Sequence, residues 1–151
     1  MRLTRYSDYS MRVLIYLAAR TEKRCSISEI ARAYGISENH LMKVVNDLAR
    51  GGYVASMRGR TGGLRLARPA SEICVGEVLR LTETDFDLVD CPSCLISPAC
   101  GLQGVLGEAV AAFLAVLDRY TLEDLMRRKA DMLALFASRN DGTGVAITPA
   151  E

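Results

Sequence analysis

"SISEIARAYGISENHLMKVVNDLARGGYV", residues 26–54, decides the fold. Ile27, Ile30, Ala31 and Tyr34 recur at helical spacing and stop at Gly35, a residue whose backbone tolerates a tight turn. Ser26 or Ser28 stands ahead of them as a helix start. Ser37 caps a second helix, Leu41, Val44, Val45 and Leu48 form its apolar stripe, and Gly51 and Gly52 end it. Two short helices joined by a glycine-containing turn read as a helix-turn-helix. The second helix does not need Glu38, Asn39, His40, Met42, Lys43 or Asn46 for its core. Asn, His and Lys near the start of such a helix reach base edges and phosphates in a major groove.

Immediately downstream, "YVASMRGRTGGLRLARP" (residues 53–69) reads as two short strands, Tyr53–Met57 and Leu64–Leu66, joined by "RGRTGG". Arg58 and Arg60 stand at the tip, with Arg65 and Arg68 on the return. A solvated structural hairpin rarely concentrates arginine in this way beside a helix pair, whereas a wing uses arginine against phosphates and the narrow minor groove. The expectation is a mainly α fold with one small β-hairpin, a winged helix-turn-helix. Its candidate contacts to double-stranded DNA are Ser28, Ser37, Asn39, His40, Lys43, Arg58, Arg60, Thr61 and Gly62.

Charge agrees with that reading. The net formal charge of the 151 residues is +1, but residues 1–70 hold 13 Lys/Arg against 5 Asp/Glu and residues 71–151 hold 6 against 13. A basic half joined to an acidic half points to a polyanion partner for the first half, or to two solvated faces of opposite sign.

Upstream, "YSDYSMRVLIYLAA" (residues 6–19) has apolar residues on a wide helical stripe, and Ser7 or Thr4 can cap it. Asp8 lies in the first turn, where the helix dipole favours a carboxylate, one turn from Arg12. By itself it reads as a helix-start carboxylate with an ion-pair partner. Residues 3–19 are too polar and interrupted for a signal peptide or membrane span, so a soluble cytoplasmic protein with no membrane partner is expected.

Beyond the wing, "SEICVGEVLRLTET" reads as another capped helix, and "DFDLVD" runs extended into "CPSCLISPAC", residues 91–100. Two prolines keep that stretch from being helical, and it gathers Cys91, Cys94 and Cys100. In a reducing compartment, clustered cysteines bind metal or do redox chemistry more often than they form disulfides, and the chain's five cysteines are an odd number. An iron–sulfur cluster, zinc and a cluster-free thiol sensor all fit the residues. Cys25 and Cys74, single among apolar neighbours, read as small buried hydrophobes.

"GLQGVLGEAVAAFLAVLDRY", residues 101–120, is a long helix apolar over more than one face. One small domain leaves little to cover it, so a second copy is the natural partner, through Leu102, Val105, Leu106, Ala109, Phe113, Val116 and Leu117. A two-fold homodimer would match a palindromic operator. "TLEDLMRR" makes another capped helix, and from Ser138 the helical pattern is gone, as in a disordered tail. The expected division is a DNA-binding domain over 1–80, a cysteine loop over 81–101, the dimerisation and C-terminal helices over 102–137, and a tail over 138–151.

Taken in order, "MRLTRYSDY", the helix pair, the "MRGRTGGLRL" wing, the cysteine loop ending "SPACGL" and the closing "YTLEDL" resemble the winged-helix iron–sulfur regulators of bacteria, the family of IscR, RirA and NsrR. The resemblance spans residues 1 to about 136, and looks strongest to the nitric-oxide-sensing NsrR branch. It implies that Cys91, Cys94 and Cys100 hold an iron–sulfur cluster, [4Fe-4S] in the first instance and [2Fe-2S] as the alternative. The IscR branch adds a histidine shortly after the last cysteine. Here Gln103 is the third residue after Cys100, and the single histidine, His40, lies in the reading helix. The NsrR branch adds an aspartate of the first helix, and Asp8 stands at the matching place, with the partner subunit as its source. One departure is the spacing: the family separates its first two cysteines more widely than Cys91 and Cys94. The implied function is a transcription repressor that releases DNA when nitric oxide attacks its cluster, with iron supply or redox state as alternative signals. An enzyme or electron carrier has no support beyond the cysteines, for the chain has no nucleotide-binding glycine loop and no second cluster motif.

Overall fold

The computed structural model describes residues 2–140. Helix α1 (Arg5–Ala19) starts where Thr4 accepts the Ser7 N–H, and Asp8 lies in its first turn. Its Val13, Leu14, Tyr16 and Leu17 are buried and form the floor of the core. Helix α2 (Ile27–Tyr34) opens on a full capping box, with Ser26 accepting from Glu29 N–H and the Glu29 carboxylate accepting from Ser26 N–H. It ends at Gly35, whose φ of 66° is the left-handed conformation the sharp turn needs. Helix α3 (Glu38–Arg50) follows, burying Leu41, Val44, Val45 and Leu48, the stripe expected from spacing. Ser37 takes the N-cap position, but its side chain makes no cap bond.

Strands β1 (Val54–Met57) and β2 (Gly63–Leu66) pair antiparallel, with Val54 opposite Leu66 and Met57 opposite Gly63. The other edge of β2 is occupied by one residue. Cys25 donates its N–H to Leu64 O at 3.0 Å and accepts from Leu64 N–H at 2.8 Å, while its side chain is fully buried. Cys25 is thus the buried apolar residue expected, and also a backbone anchor for the wing.

Helix α4 (Val75–Thr82) begins later than the serine of "SEIC" suggested. A 3-10 turn at Ala70–Glu72 intervenes, and Cys74 becomes the N-cap residue. Cys74 is only half-buried, contrary to expectation, and its thiol lies 3.6 Å from Asp118 O. Helix α5 (Leu102–Leu117) is joined to α4 at one end by the Arg80 guanidinium, which forks onto Asp118 at 2.6 and 2.7 Å. None of the α5 side chains is buried.

The chain then turns back. Helix α6 (Leu122–Leu125) opens on a second capping box, Thr121 with Asp124, and sinks Leu122 fully into the core. Helix α7 (Lys129–Asn140) sets Phe136 against the rings of Tyr16 and Tyr34, at 4.8 and 5.5 Å between centroids. Residues 121–140 thus pack back onto the core of the winged domain, through Leu122 and Phe136. Helix α7 also carries regular structure past Ser138, where a tail was expected to begin; residues 141–151 lie outside the described residues. Among the described residues no helix is long and apolar enough to cross a membrane.

Candidate nucleic-acid interface and metal centre

Burying one stripe of α3 turns the opposite face outward. Asn39, His40, Met42, Lys43 and Asn46 are all exposed, as is Ser37 with its uncapped hydroxyl. Ser28 is half-buried and donates to the Glu38 carboxylate at 2.9 Å, which ties the start of α2 to the start of α3. His40 lies beside Tyr9 of α1, with centroids 6.5 Å apart and planes 29° from parallel. A crevice between α1 and α3 is lined by Arg5, Tyr9, Asn39, His40 and Lys43.

On the wing, Arg58, Arg60 and Thr61 are exposed at the tip. Gly62 shapes the turn. Its N–H closes the tip onto Gly59 O at 2.9 Å, and a Cβ there would collide with the Met57 carbonyl oxygen. Arg24 donates to Thr61 O at 3.0 Å and steadies the tip from the α1–α2 connection. Arg68 is withdrawn from the wing surface: it stacks over the Tyr53 ring at 4.7 Å and donates to Glu72 O. Sequence reasoning missed Arg24 and also the bond that sets α1 under α3. The Tyr6 hydroxyl donates to Asp47 Oδ2 at 2.6 Å. Burial, then this bond, push the Tyr6 hydroxyl up to about 12. Neither contact leaves a signal in sequence spacing, since the partners are 37 and 41 residues apart.

The cysteine loop is a chain of tight turns. Cys94 N–H reaches Cys91 O at 3.1 Å, Ser97 N–H reaches Cys94 O at 3.2 Å, and Cys100 N–H reaches Ser97 O at 3.3 Å. Asp90 accepts from the Ser93 hydroxyl at 2.6 Å and fixes the loop's entry. Cys94 is exposed and Cys91 and Cys100 are half-buried, all three as free thiols. The Cys100 Sγ accepts the Leu102 N–H at 3.5 Å, at the side-chain-uncapped start of α5. Three soft sulfur donors, one already accepting a backbone N–H beside the positive end of a helix, suit a thiolate-held iron–sulfur group.

Among the described residues no three ligating side chains converge. Asp8 is held elsewhere, gripped by Arg12 through both carboxylate oxygens at 2.9 Å each. The expected dimer residues also divide. Leu106, Phe113 and Leu117 are half-buried, and Leu106 faces Phe86 and Val89 of its own chain. Leu102, Val105 and Val116 remain 49%, 63% and 44% exposed, and Ala109 is exposed with them.

The Rrf2 family, described as "Iron-dependent Transcriptional regulator", matches residues 3–128. The chain belongs to the Rrf2 family. It is 52% identical over 141 residues to the HTH-type transcriptional regulator NsrR of Bacillus subtilis (strain 168), covering 89% of this chain and 97% of that one. It is 45% identical over 141 residues to the NsrR of Shouchella clausii, covering 89% and 95%. Two solved Rrf2-like folds superpose well. The T. potens IscR has a TM-score of 0.71 at 26% identity, covering 85% of this chain and 88% of that chain. The oxidized form of Staphylococcus aureus CymR has a TM-score of 0.71 at 27% identity, covering 84% and 97%. This Rrf2 protein is accordingly a transcription regulator and not an enzyme.

Proposed function

We propose that this chain is a homodimeric transcription repressor which holds an iron–sulfur cluster, [4Fe-4S] in the first instance, and releases a palindromic operator in response to nitric oxide. The observation that carries the reading is the loop of three free thiols at the start of α5. The resemblance to the NsrR branch supplies the signal and the fourth ligand, Asp8. When bound, the cluster supplies irons that react with nitric oxide.

The chain's own residues do the rest. Cys91, Cys94 and Cys100 supply thiolates, and Asp8 from a second copy supplies a hard oxygen, which makes it the weak link in a soft set. Asp8 can serve only by leaving the Arg12 guanidinium or sharing its carboxylate with it. Asn39, His40 and Lys43 present polar groups to a major groove, and Arg58 and Arg60 present charge to the backbone beside it. Leu102, Val105, Ala109 and Val116 join two copies, and the acidic second half of the chain keeps DNA on the winged face. The setting implied is cytoplasmic.

The test is an anaerobic titration of iron- and sulfide-loaded protein on operator DNA before and after nitric oxide. Affinity is expected to fall at least tenfold, which needs only about 1.4 kcal/mol of differential stabilisation. Equal affinity in both states defeats the nitric oxide reading. Loss on iron removal alone, with indifference to nitric oxide, transfers the protein to iron sensing.

A further inference from the structure

Helix α3 carries two acids, Glu38 and Asp47, and both are engaged by their own chain. Glu38 accepts the Ser28 hydroxyl at 2.9 Å, which draws it toward α2. Asp47 accepts the Tyr6 hydroxyl at 2.6 Å and the Arg50 guanidinium at 3.2 Å. What the helix presents to water is Asn39, Met42, Lys43 and Asn46, three and four residues apart and so on one face. Asn39, Lys43 and Asn46 carry groups that hydrogen-bond base edges or phosphates. Met42 carries none, and it is 48% exposed.

A single exposed apolar residue is ordinary on a protein surface, and on another face Met42 would need no account. Its place makes it informative. The core stripe of α3, Leu41, Val44, Val45 and Leu48, points the other way. The exposed methionine of the wing, Met57, has the Arg24 guanidinium against its sulfur. One thioether among amides and an ammonium is too small an apolar patch to dock a protein. In a major groove it has a match, because the C5-methyl of thymine is the one apolar group that a base edge presents there. An unbranched, polarizable side chain adapts to such a target without a preformed pocket.

We propose that Met42 is a specificity-determining residue that reads a thymine in each half-site by packing on its C5-methyl group. The inference rests on the operator-binding face of the proposed function and adds a base which that face selects. The geometry also places the base. Met42 lies three residues beyond Asn39, about 4.5 Å of helix rise, and successive base pairs are about 3.4 Å apart. The thymine therefore falls within about two steps of the base pair that Asn39 contacts. The three side chains divide the work: Asn39 reads by hydrogen bonds, Met42 by apolar contact, and Lys43 supplies charge. An uncharged contact releases no counterion, so what Met42 contributes to selection is independent of salt.

The experiment uses the full chain, purified anaerobically, on a duplex that it selects itself from random DNA. Each thymine of that duplex is then replaced by deoxyuridine, which removes the methyl group and keeps the base pairing. Symmetric positions in the two half-sites are replaced together. The wild type should lose affinity on the order of tenfold at one symmetric pair of thymines, the effect of withdrawing two buried methyls. Met42→Ala should bind the thymine and uracil duplexes equally, with the salt slope and melting temperature of the wild type. Met42→Leu should keep most of the difference. The base pair at which Asn39→Ala loses discrimination marks the register, and the sensitive thymine should lie within two steps of it. Indifference of the wild type to every replacement overturns the proposal, as does a thymine preference that survives Met42→Ala or lies farther from the Asn39 base pair. If no duplex is selected at all, the operator reading falls and takes this inference with it. A selected operator that tolerates uracil throughout sinks the inference alone.

Discussion

Tyr6 and Asp47 show how one side chain couples two helices. The phenol sits at the first turn of α1 and reaches a carboxylate near the end of α3, so the reading helix is referenced to the helix that carries Asp8. A hydrogen bond to a charged acceptor at a partly buried site contributes about 1–2 kcal/mol, so Tyr6→Phe should lower the urea-derived stability by that amount at pH 7. The pH dependence has a definite sign. The folded-state value is raised from 10.0 to about 12, so the stabilisation is full below pH 10 and lost as pH climbs toward 12. The gap between wild type and Tyr6→Phe should close across that window; a constant gap would mean that the bond is not the source. Glu29 works in the other direction. Burial opposes its charge, but the Lys23 ammonium and the Ser26 N–H hold its carboxyl below the usual range. Its contribution is present above the ordinary glutamate value and disappears as pH falls through the lowered one. Glu29→Gln should therefore flatten the acid limb of the stability curve and leave the alkaline limb unchanged.

At the level of elements, what was legible in the sequence was what is decided locally. The helix-turn-helix was readable because its signals sit within a few residues of one another: Ser26 with Glu29, Gly35 at the turn, and the stripe from Leu41 to Leu48. The wing was readable for the same reason, from its glycines and alternating strands, but its anchoring was not. Cys25 bridges Leu64 across nearly forty residues, and no periodicity marks it. Helix α7 runs to Asn140, three residues into the expected tail, and what holds it, Phe136 against Tyr16 and Tyr34 more than a hundred residues upstream, leaves no mark in local spacing. The three cysteines suggest a thiol site by their spacing alone; Asp8 as a ligand comes only from resemblance, since within one chain its visible partner is Arg12. Helix α5 was readable as excess apolar surface, and the structure adds which side is spare. Leu102, Val105, Ala109 and Val116 recur every three, four and seven residues on the uncovered side. A charge there, Val105→Glu, should shift the protein to monomer in light scattering while leaving the circular dichroism of the winged domain intact. Leu106→Glu, on the side turned to Phe86 and Val89, should instead disturb the fold of its own chain as well. If Val105→Glu stays dimeric, the copies meet elsewhere.

Over the whole molecule, the separation of charge bears on how the protein meets DNA. Residues 1–70 carry net +8 and residues 71–151 net −7, and the positive share lies on the winged domain, where Lys43, Arg58 and Arg60 are exposed. Phosphates release counterions when such residues neutralise them, so the logarithm of affinity falls linearly with the logarithm of salt concentration, by about 0.9 for each phosphate neutralised. Arg58 and Arg60 stand at the wing tip without an ion-pair partner among the described residues, which leaves their charge for the backbone. Arg58→Ala should therefore weaken specific and non-specific duplexes alike. In a dimer the loss occurs at both wings, so the slope should drop by about two rather than one. Arg68→Ala has a different outcome. Its guanidinium is spent on the Tyr53 ring and Glu72 O, so it should lower thermal stability and leave the salt slope close to wild type. Asn39→Ala offers a third pattern. A side chain that reads a base edge discriminates between sequences, so its loss should narrow the gap between operator and random DNA by about 1–3 kcal/mol per contact while the slope stays the same. Fluorescence anisotropy at four salt concentrations on both duplexes separates the three. If Arg58→Ala and Asn39→Ala behave identically, the division of labour between wing and reading helix is wrong, and if the wild-type affinity ignores salt, the basic half does not face DNA.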